Sequence, residues 1–187
     1  MQFQMMMNVV VEKDIRYTPE SVVKRLLSKK PPRFMTIIEP CAGEGHIARY
    51  LMEQNSKFEL FCIEIREECS KSLDRLGCEY TIGDWFRIEY ENLALDECAI
   101  ITNPPYSIAR EFVEFTLSLN PGYCAFLLRM NMLGSAVWHG FWQKYQPQWL
   151  ITFTRRPSFE ASGKTDASEY GWFVWELDPK HEGMIIL

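Results

Sequence analysis

Strand-length apolar segments alternate with helically spaced segments through residues 34–145, and the first four of them end at turns that carry glycine, acidic residues or proline. Two more apolar segments follow, 149–154 and 170–177, with only a polar loop between them. Continuous apolar strands alternating with helices predict a parallel sheet covered on both faces. A final pair without an intervening helix predicts an antiparallel pairing at one edge. The expected fold is therefore one α/β domain: a mostly parallel, seven-stranded sheet with an antiparallel edge pair and helices on both faces.

Size and composition agree. A chain of 187 residues with 47% hydrophobic and 24% charged residues suits one globular domain with a real core. No apolar run approaches the roughly 20 residues that span a bilayer. Residues 1–11 cluster methionines without a basic region ahead of them, so no secretory signal is read there. The six cysteines are scattered without a Cys-x-x-Cys pair, and Cys62, Cys98 and Cys124 fall in apolar strands. That pattern fits reduced thiols in a cytoplasmic protein. With three dispersed histidines no metal site is expected.

The elements follow in order. Residues 34–40 form the first strand, rich in β-branched side chains, and 46–54 a helix with Ile47, Tyr50 and Leu51 on one face. Residues 58–65 are a second buried strand and 67–76 a second helix. A short third strand, 80–82, leads into Gly83-Asp84-Trp85. The fourth strand is 98–102, and a helix over 108–119 stops at Asn120-Pro121-Gly122. Residues 123–128 make the fifth strand and 136–145 an aromatic-rich helix. Residues 1–187 are read as one domain, with 1–30 an N-terminal segment that contacts the ligand, 31–187 the core, and no separate recognition domain. Trp138, Trp142, Trp149, Trp172 and Trp175 fall at core spacing, whereas Trp85 lies at a strand end.

In such sheets ligands bind beyond the carboxyl ends of the strands. After the first strand comes Glu39-Pro40-Cys41-Ala42-Gly43-Glu44-Gly45-His46. Its two glycines allow close backbone approach and begin a helix whose N–H groups point at the ligand, though such a turn also serves as plain punctuation. Glu64 follows the second strand, where an acidic residue typically holds ribose hydroxyls. Asp84 follows the third strand, placed to accept from an adenine amino group. After the fourth strand comes Asn103-Pro104-Pro105-Tyr106. The prolines bias the chain away from helix and stiffen the strand end. The Asn103 side-chain oxygen and the Pro104 carbonyl can then both accept from one –NH2 group. Tyr106 offers a flat ring to a planar partner. His46 and His139 carry no assigned task.

The net charge of −5 runs against a nucleic-acid partner, because such proteins usually present a basic face. Positive charge here is local. Lys24, Arg25, Lys29, Lys30 and Arg33 form one cluster, read as a solvated face. Arg155, Arg156 and Lys164 form another, beside a polar loop, 160–168, that reads as a lid or as a long hairpin connection.

Together these residues resemble the class I S-adenosylmethionine-dependent methyltransferases, and within them the amino-methyltransferases related to DNA adenine-N6 enzymes. Glu39 to Gly45 resembles that family's (Asp/Glu)-Pro-x-x-Gly-x-Gly motif. Asn103 to Tyr106 is similar to its (Asp/Asn/Ser)-Pro-Pro-(Tyr/Phe) motif without departure. Arg16-Tyr17-Thr18-Pro19-Glu20 looks like the segment preceding the glycine motif, and Arg156-Pro157-Ser158-Phe159 like a late motif with a base-holding aromatic residue. The likeness covers residues 16–175.

The resemblance implies a Rossmann-like methyltransferase domain that binds S-adenosylmethionine, releases S-adenosylhomocysteine and needs no metal. It implies cofactor contacts from Tyr17, Thr18, Glu39, Ala42, Gly43, Gly45, Glu64, Ile65, Asp84, Trp85 and Asn103. Catalysis would fall to Asn103, Pro104, Pro105 and Tyr106. Tyr106, Phe159, Arg155, Arg156 and Lys164 would bind the substrate. The implied substrate is adenine N6 in a flipped-out base, in DNA before RNA. A protein partner for target recognition, no membrane, and a bacterial or phage-type cytoplasmic setting complete the expectation. RNA adenine-N6 or guanine-N2 methylation, protein-glutamine methylation and a non-catalytic binding module stay open.

Overall fold

The computed structural model describes residues 17–90, 93–159, 168–176 and 185–186. In chain order the elements are α1 (Glu20–Lys29), β1 (Thr36–Glu39), α2 (His46–Gln54), β2 (Glu59–Glu64), α3 (Ser70–Leu76), β3 (Glu79–Ile82) and β4 (Ala99–Thr102). Then follow α4 (Ala109–Ser118), β5 (Tyr123–Arg129), α5 (Ala136–Lys144), β6 (Trp149–Thr152), β7 (Tyr170–Glu176) and β8 (Ile185–Ile186). One sheet contains all the strands, in the order β3-β2-β1-β4-β5-β7-β6-β8. Strands β1 to β5 pair in parallel, and β7 runs antiparallel to both β5 and β6.

The seven expected strands and the antiparallel pair are all present. The structure adds a two-residue strand, β8, parallel to β6 at the edge. It also places β7 between β5 and β6, so the last long strand in sequence is not at the edge. The reason lies in burial: Trp172, Phe173 and Val174 are all 0% exposed, so both faces of β7 are covered. A strand apolar on both faces gains most from a central position.

Within the N-terminal segment 1–30, Glu20–Lys29 form helix α1. Val22, Val23 and Leu26 recur at helical spacing and are buried. The Trp172 indole donates to the Val22 carbonyl at 2.8 Å, and the Tyr123 hydroxyl donates to the Lys30 carbonyl at 2.7 Å. The basic cluster on α1 is only partly a solvated face. Arg25 Nε reaches the Thr152 carbonyl at 3.3 Å, and Lys30 lies 3.8 Å from the Trp149 ring centre while pairing with Glu176 at 3.1 Å.

The strand order reverses between β1 and β4, with β2 and β3 on one side and β5 on the other. Right-handed crossovers then put α2 and α3 on one face, α4 and α5 on the other. The carboxyl ends of β3, β2, β1 and β4 lie side by side, and the loops after them face one cleft. Among the described residues no helix is long and apolar enough to cross a membrane. All six cysteines are free, with Cys62, Cys69, Cys98 and Cys124 buried.

Candidate active site

The cleft beyond those four strand ends encloses roughly 920 Å3, counted out to its open mouth. Its walls include Tyr17, Thr18, Glu39, Ala42, Gly43, Glu64, Ile65, Asp84, Trp85 and Asn103. Ten of the eleven cofactor residues expected from sequence are thus brought together. The eleventh, Gly45, shapes the wall from behind. It is buried with φ of +79°, and a Cβ there would stand 2.8 Å from a Leu76 methyl. Gly43, at φ of +57°, lines the cleft itself. Both lie in the left-handed region that favours glycine.

Glu64 is 4% exposed at the end of β2. Its Oε2 accepts the Gly43 N–H at 2.6 Å, and its Oε1 accepts the Arg66 backbone N–H and Nε, each at 2.9 Å. Asp84 caps the turn that carries Trp85 by accepting the Phe86 N–H at 3.1 Å. The Trp85 indole donates to the Thr116 hydroxyl at 2.9 Å, and Phe86 and Phe112 complete an aromatic wall. His46, given no task by sequence, also lines the cleft, with its ring 4.9 Å from that of Tyr17.

Glu39 is 1% exposed, and its Oε2 accepts the Ala48 N–H at 2.9 Å. Burial pushes this carboxyl well above its ordinary value, a shift that the Ala48 hydrogen bond only partly offsets. The unfolded chain sheds this proton near pH 4.3, while the folded one must keep it or bury a charge (reference value about 4.3). Stability contributed by Glu39 is therefore present below that pH and is lost as pH rises toward the folded value. Glu39→Gln retains the acceptor for Ala48 and removes the titration. It should melt higher than wild type at pH 8, with the gap closing toward pH 4. A gain of 1 kcal/mol moves the midpoint of a domain this size by about 2–4 °C. Thermal melts of both proteins across that range check it, and a gap independent of pH would sink it.

Asn103 follows β4. Its Nδ2 donates to the Thr18 hydroxyl at 3.1 Å, a contact spanning 85 positions. Its Oδ1 is buried and has no hydrogen-bond partner among the described residues. A buried acceptor without a donor costs about 1–3 kcal/mol, so it marks a place where a ligand donor belongs. Thr18 holds the Nδ2 end of the amide, and Oδ1 is the end left without a described partner. Thr18→Val should leave Nδ2 unpaired, lower the melting temperature and slow turnover roughly tenfold, a barrier change of about 1.4 kcal/mol. Steady-state kinetics beside thermal melts check this; unchanged turnover would show that Thr18 does not orient Asn103.

The Asn103-Pro104-Pro105-Tyr106 segment is a partition. Asn103 and Pro105 face the first cleft, Pro104 is buried, and Tyr106 faces a second cleft with Ser107, Arg129, Asn131, Met132, Ser135 and Trp138. This second cleft is open and encloses roughly 670 Å3. The Arg129 guanidinium lies 4.7 Å from the Tyr106 ring centre, on the ring that sequence reasoning assigned to a stacked base. Arg129 and Trp138 were missed as site residues, because one ends a strand and the other carries helical core spacing.

The remaining expected substrate residues lie elsewhere. Phe159 is 4% exposed and packs at 4.7 Å on Tyr170, whose ring is in turn 5.5 Å from Tyr106. Phe159 therefore backs the aromatic cluster and lines neither cleft. Arg155 and Arg156 are exposed, and Arg156 pairs with Glu169 at 3.6 Å. Lys164, Arg16 and residues 160–167 of the polar loop fall outside the described residues. Among the described residues, no three His, Cys, Asp or Glu side chains are grouped to hold a metal ion.

The chain matches no model of a known protein family. It is 24% identical over 147 residues to ribosomal RNA small subunit methyltransferase A of Sinorhizobium medicae, covering 75% of this chain and 46% of the relative. The chain thus spans about half the length of that curated protein. Among solved structures it resembles a predicted O-methyltransferase of Agrobacterium tumefaciens, with a TM-score of 0.63, 12% identity and coverage of 89% and 84% of the two chains. It resembles the 23S rRNA methyltransferase ErmE with a TM-score of 0.61, 16% identity and coverage of 90% and 72%. A type I restriction-modification methyltransferase subunit of Streptococcus thermophilus gives a TM-score of 0.62 at 12% identity, covering 91% of this chain and 47% of that one. At these identities the likeness shows the fold, the Rossmann-like fold of class I methyltransferases.

Proposed function

We propose that this chain is an S-adenosylmethionine-dependent N-methyltransferase whose acceptor is an exocyclic amino group, adenine N6 of a nucleic acid. The observation that carries the reading is the buried Oδ1 of Asn103, without a partner among the described residues, on an amide whose Nδ2 is held by Thr18 in the partition between two clefts. The residues of the first cleft fit the cofactor. Gly43 leaves room for close approach, Glu64 suits a ribose diol, Asp84 an adenine amino group and the Trp85–Phe86 wall an adenine face. Glu39 also lines this cleft, where burial holds its carboxyl well above its ordinary value and a cationic group of the ligand would offset its charge.

Bound there, the cofactor supplies an electrophilic methyl on a sulfonium. The chain supplies orientation and two acceptors. Asn103 Oδ1 and the Pro104 carbonyl accept hydrogen bonds from the amino group's two N–H donors and favour a more tetrahedral nitrogen with a localised lone pair. No strong base is required, because the nitrogen loses its proton after transfer. Alignment of reactants can in principle supply on the order of 7–11 kcal/mol of the barrier. Arg129, lying over the Tyr106 ring, and Trp138 then offer flat surfaces to a base drawn out of its stack, and Arg129 also suits its phosphate. The six free thiols fit a reducing setting such as the cytoplasm.

DNA is the substrate implied by the motif resemblance. RNA is the second reading, favoured by the sequence relative named as an rRNA methyltransferase. Incubation with tritiated cofactor and separate DNA, RNA and protein pools tests both, followed by nucleoside mass spectrometry. N6-methyladenine in one nucleic acid pool is the expected result; label confined to protein would sink the nucleic-acid reading.

A further inference from the structure

We propose that Arg66 occupies the ribose subsite in the unliganded protein, and that a ligand binds only by exchanging its vicinal diol for the Arg66 side chain on Glu64. The proposal rests on reading the first cleft as an S-adenosyl site. It makes Arg66 a determinant of cofactor affinity and of selectivity for the diol.

A carboxylate has about four lone-pair positions. On Glu64 all of them are taken. Oε1 receives the Arg66 backbone N–H and Nε, each at 2.9 Å. Oε2 receives the Gly43 N–H at 2.6 Å and Arg66 Nη2 at 3.5 Å. The two backbone donors cannot leave without unwinding the turns after β1 and β2. The other two belong to one flexible side chain. A diol therefore reaches Glu64 only in place of Nε and Nη2.

Position supports the exchange. Arg66 lines the cleft, and a Cβ built on Gly43 would stand 3.3 Å from its Nη2. The guanidinium thus lies over the glycine turn, in the space that a ribose must enter to meet Glu64. The pair is largely desolvated, with side-chain exposures of 18% for Arg66 and 5% for Glu64. Separating it is costly, and only a ligand that returns two donors to Glu64 offsets the loss. A merely structural Arg66 would hold Glu64 in place, yet the two backbone N–H groups already do so.

Calorimetric titration of the whole chain with S-adenosylhomocysteine tests the exchange, using wild type and Arg66→Met, which keeps the apolar stem without its donors. The Met variant should bind about tenfold more tightly, the scale of one charge-assisted hydrogen bond. In wild type, the Arg66 Nε–H resonance should leave its carboxylate-bonded position as ligand saturates. Equal or weaker binding by a folded Met variant would overturn the proposal, as would an Nε–H signal that stays put. If the Met variant fails to fold, the resonance in wild type decides alone. If wild type and variant both bind no S-adenosylhomocysteine, the S-adenosyl reading itself is wrong, an outcome distinct from bound ligand with Arg66 unmoved.

Discussion

Asn103→Ala should lower methyl transfer by about two to three orders of magnitude while leaving cofactor affinity within a few-fold, by analogy with removal of one preorganised polar group from a catalytic site. The reason is the asymmetry of its amide. Nδ2 is tied to Thr18 at 3.1 Å and Oδ1 is buried without a partner among the described residues, so the oxygen is held ready for a donor that a ligand brings. That interaction strengthens as the acceptor nitrogen becomes tetrahedral, and its loss belongs in kcat rather than in cofactor binding. The substitution also removes an unpaired buried acceptor, so the variant should be no less stable than Thr18→Val. Single-turnover kinetics with an adenine-containing substrate, beside calorimetry with S-adenosylhomocysteine, separate the two effects. Retained turnover would remove Asn103 from its role, whereas lost cofactor binding would make it a cofactor residue only.

Gly43→Val should abolish cofactor binding, weakening it by at least about a hundredfold (roughly 2.7 kcal/mol). Two costs act together. At φ of +57° a β-branched residue is strained, and the left-handed conformation alone costs roughly 1–2 kcal/mol for a side chain with a Cβ. The new Cβ would also stand 3.3 Å from Arg66 Nη2 and fill the cleft where the ligand backbone contact is made. Gly45→Ala is the contrasting variant. Its Cβ would press on Leu76 at 2.8 Å, behind the wall, so it should lower the melting temperature more than it lowers affinity. Calorimetry on the folded Gly43→Val protein checks the first expectation, and unchanged affinity there would move the cofactor site to another part of the molecule.

Much of this molecule is legible in its sequence because the relevant physics is local. Apolar continuity located β4 and β5, and helical spacing placed α2 at 46–54, the limits that the structure also shows. Loop chemistry at strand ends singles out Gly43, Glu64, Asp84 and Asn103, since ligands in such sheets collect beyond the strand ends. Helix α1 was legible too, through Val22, Val23 and Leu26, but its charged residues drew attention to its solvated side.

What the sequence determined by itself was the kind of sheet, the turns that feed the cleft and most of the residues that line it. Those follow from periodicity, backbone preference and side-chain type, all properties of neighbouring residues. Tertiary structure alone decided that β7 lies inside the sheet and that Thr18 holds one end of the Asn103 amide. It decided as well that Arg129 covers Tyr106 and that Arg66 saturates Glu64. Most of these contacts join residues far apart in the chain, and all of them are selected by which buried polar groups and aromatic faces find partners once the core has closed. No local pattern encodes that choice.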